Sequence, residues 1–245
     1  MEKVSTGIKG LDEMLEGGLP KGRIILLCGG PGTGKTIFSL QFLMAAAGRG
    51  EPGVYVTLEE PLNLVKENIS VFGWDLRAKE KDGLLLLLDF HGISYGEGLS
   101  GFRDREREME ESSSSILKPI LAAVQTIKAK NIIIDPLTSV AIHEQRPNMK
   151  RVRIAEMLSK LRKTGCTSVL TSEVSTSGGD FYVEEFLADG VIKLEKVLQN
   201  FSLINTLRIE KMRGLDYDDQ PRRYAIDNRG LTVFNTEQVR IRNSS

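Results

Sequence analysis

The sequence predicts an α/β fold with a mainly parallel central sheet flanked by helices and extended at its C-terminal end by an antiparallel hairpin. Short apolar runs of strand length alternate with longer stretches of helical spacing, as is typical of parallel β-α units. A glycine-rich octet, residues 29–36, lies between the first apolar run and the first helix. The turn signature at residues 227–230 divides the last β-rich stretch into the two arms of a hairpin.

Composition limits the function classes. The chain has 245 residues, of which 40% are hydrophobic, enough for the core of one domain spanning 1–245. Lys plus Arg equals Asp plus Glu at 33 each, so no net charge draws the whole molecule to nucleic acid or to an anionic membrane. Cys28 and Cys166 are interpreted as core residues, because two isolated cysteines make neither a metal site nor a disulfide framework.

Residues 1–22 are interpreted as a lead-in to the first strand. Ile8, Leu11 and Leu15 form the apolar face of a short helical turn bracketed by glycines. Residues 1–5 lack an apolar signal core, and no apolar run in the chain approaches the ~18 residues of a membrane span. We therefore expect a cytoplasmic protein that makes no membrane contact.

The octet reads Gly-Gly-Pro-Gly-Thr-Gly-Lys-Thr, the phosphate-binding loop pattern in which four residues separate two glycines and Lys-Thr follows. The alternative, an ordinary glycine-rich turn, does not explain the apolar strand 24–28 before it and the helix 37–47 after it. Backbone N–H groups curl around an anion only where side chains do not intrude, and a helix N-terminus adds partial positive charge. The predicted nucleotide-binding residues are Gly30, Pro31, Gly32, Thr33, Gly34, Lys35, Thr36 and Ile37.

Within this loop, two side chains have predicted roles in ATP chemistry. The Lys35 ammonium would lie on the β- and γ-phosphates, and the Thr36 hydroxyl would take one coordination position on Mg²⁺. An acid for the same metal follows the apolar run 131–134, where Asp135 stands at the tip of a predicted strand in the Walker B arrangement. Thr36 and Asp135 are therefore the predicted metal-site residues.

Two carboxylates, Glu59 and Glu60, end the β-rich run 53–58, before Pro61 begins a helix that reaches Phe72. Ligands of parallel sheets bind at the carboxyl ends of strands, so this pair can face the phosphate loop. We expect Glu59 to polarise the attacking water, with Glu60 as the substitute, because neighbouring strand residues face opposite ways. The alternative is that the acids only cap the following helix.

Three later segments have open interpretations. Residues 91–115 contain glycines, mixed charges and four serines, and are expected to form a mobile insertion or solvated helix before a helix at about 116–128. The helix after residue 148 carries Lys150, Arg151, Arg153, Lys160, Arg162 and Lys163, either a solvated face or a phosphate-backbone contact. Phe181 and Tyr182, in a Gly/Ser-rich loop, would stack on bases if the chain binds single strands, or anchor the loop.

In the C-terminal third we predict strands at 191–198, 202–213 and 223–234, and a flexible tail at 235–245. Lys211 and Arg213 share one strand face by the period of two, with no acid at 212 or 214. Two cations on one face indicate an anionic target outside their own hairpin.

The lead-in followed by the octet, together with Val54 to Glu60 and Phe72 to Leu76, resembles the RecA superfamily and, more narrowly, the first ATPase half of the KaiC family. The resemblance covers most of the chain. It implies a RecA-like fold that binds ATP and Mg²⁺ between the subunits of a homo-oligomeric ring, a hexamer, and hydrolyses ATP slowly in a regulatory or signalling role. It also implies that the Lys-x-Arg-Gly segment, here Lys211, Met212, Arg213 and Gly214, reaches the γ-phosphate held by the neighbouring subunit.

The chain departs from that family pattern in two places. Tyr217 stands where a histidine is expected, which puts that contact in doubt, and Met212 is carried over only as a backbone contact. Glu185 and Phe186 stand where the autophosphorylating half has a Ser-Thr pair, so we expect no autokinase activity. The alternative functions are a RadA-paralogue-like protein that binds single-stranded DNA in recombination or repair, and a switch that changes protein partners with nucleotide state.

Overall fold

The computed structural model describes residues 1–91, 105–140, 147–173, 183–199 and 201–239. The strands in these ranges are β1 Lys3–Val4, β2 Leu19–Pro20, β3 Ile24–Gly29, β4 Gly53–Thr57, β5 Leu85–Asp89, β6 Asn131–Asp135, β7 Thr167–Glu173, β8 Gly190–Gln199, β9 Ser202–Met212, β10 Arg222–Asp227 and β11 Gly230–Gln238. The helices are α1 Leu11–Met14, α2 Lys35–Gly48, α3 Leu62–Ser70, α4 Leu76–Lys81, α5 Arg105–Ile127, α6 Pro147–Arg162 and α7 Val183–Leu187, with a 3₁₀ helix at Leu137–Val140.

A nine-stranded sheet has the order β11-β10-β9-β8-β3-β7-β6-β4-β5. The six strands from β8 to β5 are parallel, whereas β8–β9, β9–β10 and β10–β11 pair antiparallel. The predicted fold class, a mainly parallel sheet with a C-terminal antiparallel extension, is confirmed. Asp227 pairs with Gly230 across the predicted turn.

Both faces of the parallel region are covered, because every residue of β3, β4 and β6 is buried. One face packs on α2 and the lead-in, in a core that contains Ile8, Leu11 and Leu15. The other packs on α5 and α6, and it holds Cys28 and Cys166 as free, buried thiols. Continuous apolar strands are the pattern expected of a parallel sheet buried on both sides.

The C-terminal hairpin packs against the N-terminal half of the chain through Gln41 of α2. Its side chain accepts from the Leu231 N–H at 2.7 Å and donates to the carbonyls of Leu231 and Gly7, each at 3.1 Å. Tyr224 of β10 and Val233 of β11 lie in the same core as Phe38 of α2. The hairpin is therefore part of the main body that carries the phosphate loop.

The structure corrects two predicted boundaries. Helix α5 begins at Arg105, so residues 105–115 of the predicted insertion continue into the helix expected to start at 116. Strand β11 continues to Gln238 and Val239 is buried, so the predicted tail does not begin at 235. Strand β11 is longer than predicted because its partner β10 begins at Arg222. This residue pairs with Gln238 on the far side of a β-bulge. Residues 92–104, the loop with Phe181 and Tyr182, and residues 240–245 lie outside the described residues.

Candidate functional site

The predicted site residues come together because the strands that carry them are parallel and in register. Thr57 at the end of β4 is level with Asp135 at the end of β6. Gly29 at the end of β3 is level with Glu173 at the end of β7. The loop after β3 and the residues after β4 therefore meet at one edge of the sheet, where parallel α/β proteins bind ligands.

The loop 29–36 takes a conformation that depends on glycine. Gly32 and Gly34 have φ of 68° and 91°, in the left-handed region that residues with a Cβ rarely adopt. A Cβ on Gly34 would also lie 2.5 Å from Cδ1 of Ile226. The loop is closed by the Thr33 hydroxyl, which donates to the Gly30 carbonyl at 2.8 Å. Helix α2 begins directly after it at Lys35, so the helix N-terminus faces the loop.

Lys35 lies beneath the loop and is only 10% exposed. Its ammonium donates to the carbonyl oxygens of Gly29 at 2.9 Å and Gly30 at 3.2 Å. Glu173 provides a carboxylate oxygen 3.9 Å away. The lysine is therefore held by its own loop, with its charge directed to the edge where the strands end.

Asp135 is 7% exposed and accepts hydrogen bonds from three side-chain hydroxyls. Thr36 donates to Oδ2 at 2.7 Å, Tyr55 donates to Oδ2 at 3.0 Å, and Thr171 donates to Oδ1 at 2.5 Å. These donors come from α2, β4 and β7, so one carboxylate joins three elements. Burial raises the pKa of the Tyr55 phenol well above its ordinary value, and the negative charge of Asp135 raises it further.

The two glutamates after β4 both line the site, because the strand ends at Thr57 and the alternation of a strand no longer applies. Glu59 is exposed, and one of its carboxylate oxygens accepts from the Ser139 hydroxyl. Glu60 accepts from the Asn68 amide at 2.6 Å. The structure thus holds Glu60 against α3, while Glu59 is positioned by the segment that follows Asp135.

These groups surround a cavity of about 470 Å³. Its polar lining includes Lys35, Thr36, Glu59, Glu60, Asp135 and Glu173. Its apolar lining includes Val65, Ile69, Phe72 and Ile226. A cavity lined by both polar and apolar side chains suits a ligand that has both a charged and an apolar part.

Lys211, Met212 and Arg213 lie elsewhere. None of the three lines the cavity of its own chain. The Lys211 ammonium donates to the Glu185 carbonyl at 2.5 Å, and the Arg213 guanidinium donates to the Phe186 carbonyl at 3.2 Å, both on α7. Burial and the neighbouring Arg213 charge lower the pKa of Lys211, against the opposing effect of Asp189 and Glu185. The nearby acids come from α7 and the start of β8, which are distant in sequence from residue 211.

Lys150 and Arg162, from the basic set around α6, form ion pairs with carboxylates in the part of the chain that the structure describes. Lys150 lies 3.4 Å from the buried carboxylate of Glu184, and Arg162 lies 3.4 Å from that of Asp189. Cys28 lies near Glu185 of α7. Burial raises the pKa of the Cys28 thiol to about 12, and the negative charge of Glu185 is the next largest cause. A thiol with so high a pKa stays protonated near neutral pH and is not a nucleophile.

Several site residues have no signal in the sequence. Tyr55, Thr171 and Ser139 are ordinary strand or turn residues until the fold places their hydroxyls on Asp135 and Glu59. Glu173 is the last residue of β7, as Asp135 is of β6, and an acid at the end of a β-rich run was a usable signal. Within the described residues, no group of three or more His, Cys, Asp or Glu side chains forms a metal site, and no helix has the length and apolarity of a membrane span.

The chain is similar in sequence and in fold to several known proteins. A family model described as the KaiC ATPase matches residues 4–238. A UPF0273 protein of Pyrococcus furiosus is 35% identical over 239 residues, which are 96% of this chain and 94% of that protein. The circadian clock oscillator protein KaiC of Nostoc is 33% identical over 245 residues, 98% of this chain but 46% of the clock protein. The crystal structure of a KaiC-like protein from Pyrococcus horikoshii superimposes with a TM-score of 0.81 at 33% identity, covering 95% of this chain and 99% of that one.

The phenol of Tyr55 gives a testable pH dependence. Its pKa is higher in the folded chain than in the unfolded chain, so its contribution to stability is complete below about pH 10 and is lost as the pH rises further. We expect Tyr55→Phe to lower the free energy of unfolding by about 1–2 kcal/mol at neutral pH, since a buried hydrogen bond to a carboxylate is lost. The variant should also lose less stability than the wild type between about pH 9 and pH 11.

Urea unfolding at several pH values measures both effects. Tyr217→Phe is the matched control, because its hydroxyl makes only a 3.5 Å contact with the Glu210 carbonyl. Equal pH profiles for the wild type and Tyr55→Phe would show that the phenol is not held in its neutral form by the fold.

Proposed function

The chain belongs to the KaiC family of ATPases, and from this premise we propose that it is a Mg²⁺-dependent ATPase that binds ATP between the subunits of a ring. The ring is a hexamer, and hydrolysis is slow and serves a regulatory or signalling role. The observation that carries the proposal is the convergence of Lys35, Thr36, Glu59 and Asp135 on one cavity at the carboxyl edge of the sheet.

The phosphate chain of ATP would lie against the loop 29–36. Its glycines leave the backbone N–H groups bare, and α2 adds the partial positive charge of its N-terminus. Lys35 supplies a full charge from beneath the loop, where two carbonyl oxygens hold its ammonium. The apolar wall formed by Val65, Ile69, Phe72 and Ile226 leaves room for the nucleoside in the same cavity.

The residues beside the loop suit Mg²⁺. This ion prefers oxygen ligands, and it binds through one or two protein groups while it keeps several waters. Thr36 and Asp135 present a hydroxyl and a carboxylate within 2.7 Å of each other. When bound there, the metal neutralises charge on the β- and γ-phosphate oxygens. Tyr55 and Thr171 hold the Asp135 carboxylate in place from behind through their own hydroxyls.

Glu59 is the proposed base. It stands on the cavity wall, and the Ser139 hydroxyl holds one of its carboxylate oxygens. In this role it orients the attacking water and accepts its proton as the oxygen bonds to the γ-phosphorus and the bond to ADP breaks. Glu60 is the weaker candidate, because its carboxylate is bound to Asn68.

Lys211 and Arg213 are proposed to act on the nucleotide of the neighbouring subunit, with Met212 as a backbone contact. Their position supports this assignment, since both reach α7 and neither lines the cavity of its own chain. A guanidinium supplied in trans stabilises the charge of the phosphoryl-transfer transition state. The ring would therefore be needed for turnover.

Lys35→Ala is expected to abolish ATP binding while the fold is kept, because it removes the point charge directed at the phosphates. Isothermal titration calorimetry measures binding, and circular dichroism checks the fold. Lys118→Ala is the matched control, as Lys118 is an exposed lysine on α5. Unchanged ATP affinity in a folded Lys35→Ala protein would contradict the phosphate-loop assignment.

Glu59→Gln is expected to keep ATP and Mg²⁺ binding and to lower turnover by about 10² to 10⁴-fold, the usual contribution of a positioned general base. Glu60→Gln should lower turnover by a smaller factor, because Asn68 can still donate a hydrogen bond to the side-chain amide oxygen of glutamine. The rate of phosphate release from each variant at saturating ATP shows which substitution lowers turnover more. If Glu60→Gln is the more damaging change, Glu60 is the base and Glu59 is not.

Subunit mixing tests the contribution in trans. Glu59→Gln and Arg213→Ala proteins should each be inactive, and a mixture that exchanges subunits should regain activity, since roughly a quarter of its interfaces would join an intact Glu59 to an intact Arg213. As the control, Arg213→Ala is mixed with the double variant, in which no interface is complete. A mixture that stays inactive after proven exchange would show that Arg213 acts within its own chain or not at all.

A further inference from the structure

Strand β8 extends past the strand that leads into the phosphate loop. Leu194 of β8 is level with Gly29, the last residue of β3. Beyond that point β8 stays paired with β9 as far as Gln199, which is level with Ser202. The β8–β9 ribbon therefore projects from the edge of the sheet at which the candidate site lies, and Lys196 stands two residues beyond the end of β3.

The strand period places Lys196 on the face that carries the loop. Ile192 and Leu194 are buried in the same core cluster as Phe38 of α2, and side chains two residues apart along a strand share a face. The register of β8 with β9 is regular from Ile192 to Gln199, so the alternation is not interrupted. Lys196 thus projects on the side of the sheet where α2 begins.

Its ammonium reaches the loop itself. The Nζ atom of Lys196 lies 3.3 Å from the position that a Cβ on Gly32 would occupy. Gly32 lines the candidate cavity, as do Pro31 and Lys35. The chain therefore brings the ammonium of a second lysine to the phosphate loop, in addition to Lys35.

Lys196 adds a positive charge at the loop, whereas Lys35 already has the Glu173 carboxylate 3.9 Å away. Within the described residues Lys196 forms no ion pair with a carboxylate, in contrast to Lys193 on the other face, which lies 3.2 Å from Glu185. Helix α2 begins at Lys35, shortly after Gly32 in the loop, and a cation is disfavoured at a helix N-terminus. An anion at the loop would remove this repulsion.

We infer that Lys196 is a further phosphate-binding residue of this site and contacts the phosphate chain of the nucleotide held by the loop of its own subunit. The inference rests on the proposed function, because it requires a phosphate chain at residues 29–36. Lys196 is not among the residues that line the cavity, and the inferred contact is made across Gly32, which lines it and carries no side chain.

The test compares Lys196→Met, which keeps the apolar stem and removes the charge, with Lys196→Arg, which keeps a charge. Calorimetry of the full chain with ATP should show affinity weakened about 5- to 10-fold in Lys196→Met and within about twofold of the wild type in Lys196→Arg. Lys118→Met is the matched control, because Lys118 is an exposed lysine on α5 that does not line the cavity. The difference should shrink as salt is raised from about 0.05 M to 0.5 M, because salt screens an exposed charge contact.

A second experiment distinguishes binding of the phosphate chain from binding of the nucleoside. Tripolyphosphate should displace a fluorescent ATP analogue from the wild type at a lower concentration than from Lys196→Met. The ratio of the two concentrations should be close to the ratio of the two ATP affinities. Equal displacement from both proteins, or unchanged ATP affinity in Lys196→Met, would overturn the inference while leaving the proposed function intact. A wild-type chain that binds no ATP would overturn the proposed function first.

Discussion

The buried carboxylate of Asp135 is the interaction on which the candidate site depends. An ionised carboxylate loses its hydration when it is buried, and this cost is tolerated only where hydrogen bonds replace the lost water. Here Thr36, Tyr55 and Thr171 provide three hydroxyls from three different elements. Because one carboxylate accepts from all three, the start of α2 and the strands β4, β6 and β7 are joined at the edge where the candidate site lies.

The phosphate loop has a second support from the opposite end of the chain. The Tyr224 hydroxyl donates to the Thr33 carbonyl at 2.6 Å, and burial raises the pKa of this phenol. Ile226 lies against Gly34, and Gln41 joins α2 to Leu231. The loop is thus held between Asp135 on one side and strand β10 on the other. Its conformation reflects the packing of both neighbours as well as the freedom of its own glycines.

Local patterns predicted the parts of the site that are contiguous in sequence. The octet 29–36, the acid after 131–134 and the glutamates after 53–58 each follow an apolar strand, and the parallel fold then brings strand ends together. The roles of Tyr55, Thr171 and Lys196 depend on register between strands far apart in the chain, which no local pattern records. The start of α5 at Arg105 was missed because mixed charges fit a helix and a solvated loop equally well.

The link between Gln41 and Leu231 spans 190 residues, and that between Thr33 and Tyr224 spans 191. A chain emerging from the ribosome exposes its glycine-rich octet long before the strand β10 that holds this loop, because the two are separated by most of the residues between Thr33 and Tyr224. Contacts of such long sequence separation form late, after the cost in loop-closure entropy has been met. The nascent chain therefore carries its glycine-rich octet without the support of β10 until that strand has been synthesised and paired.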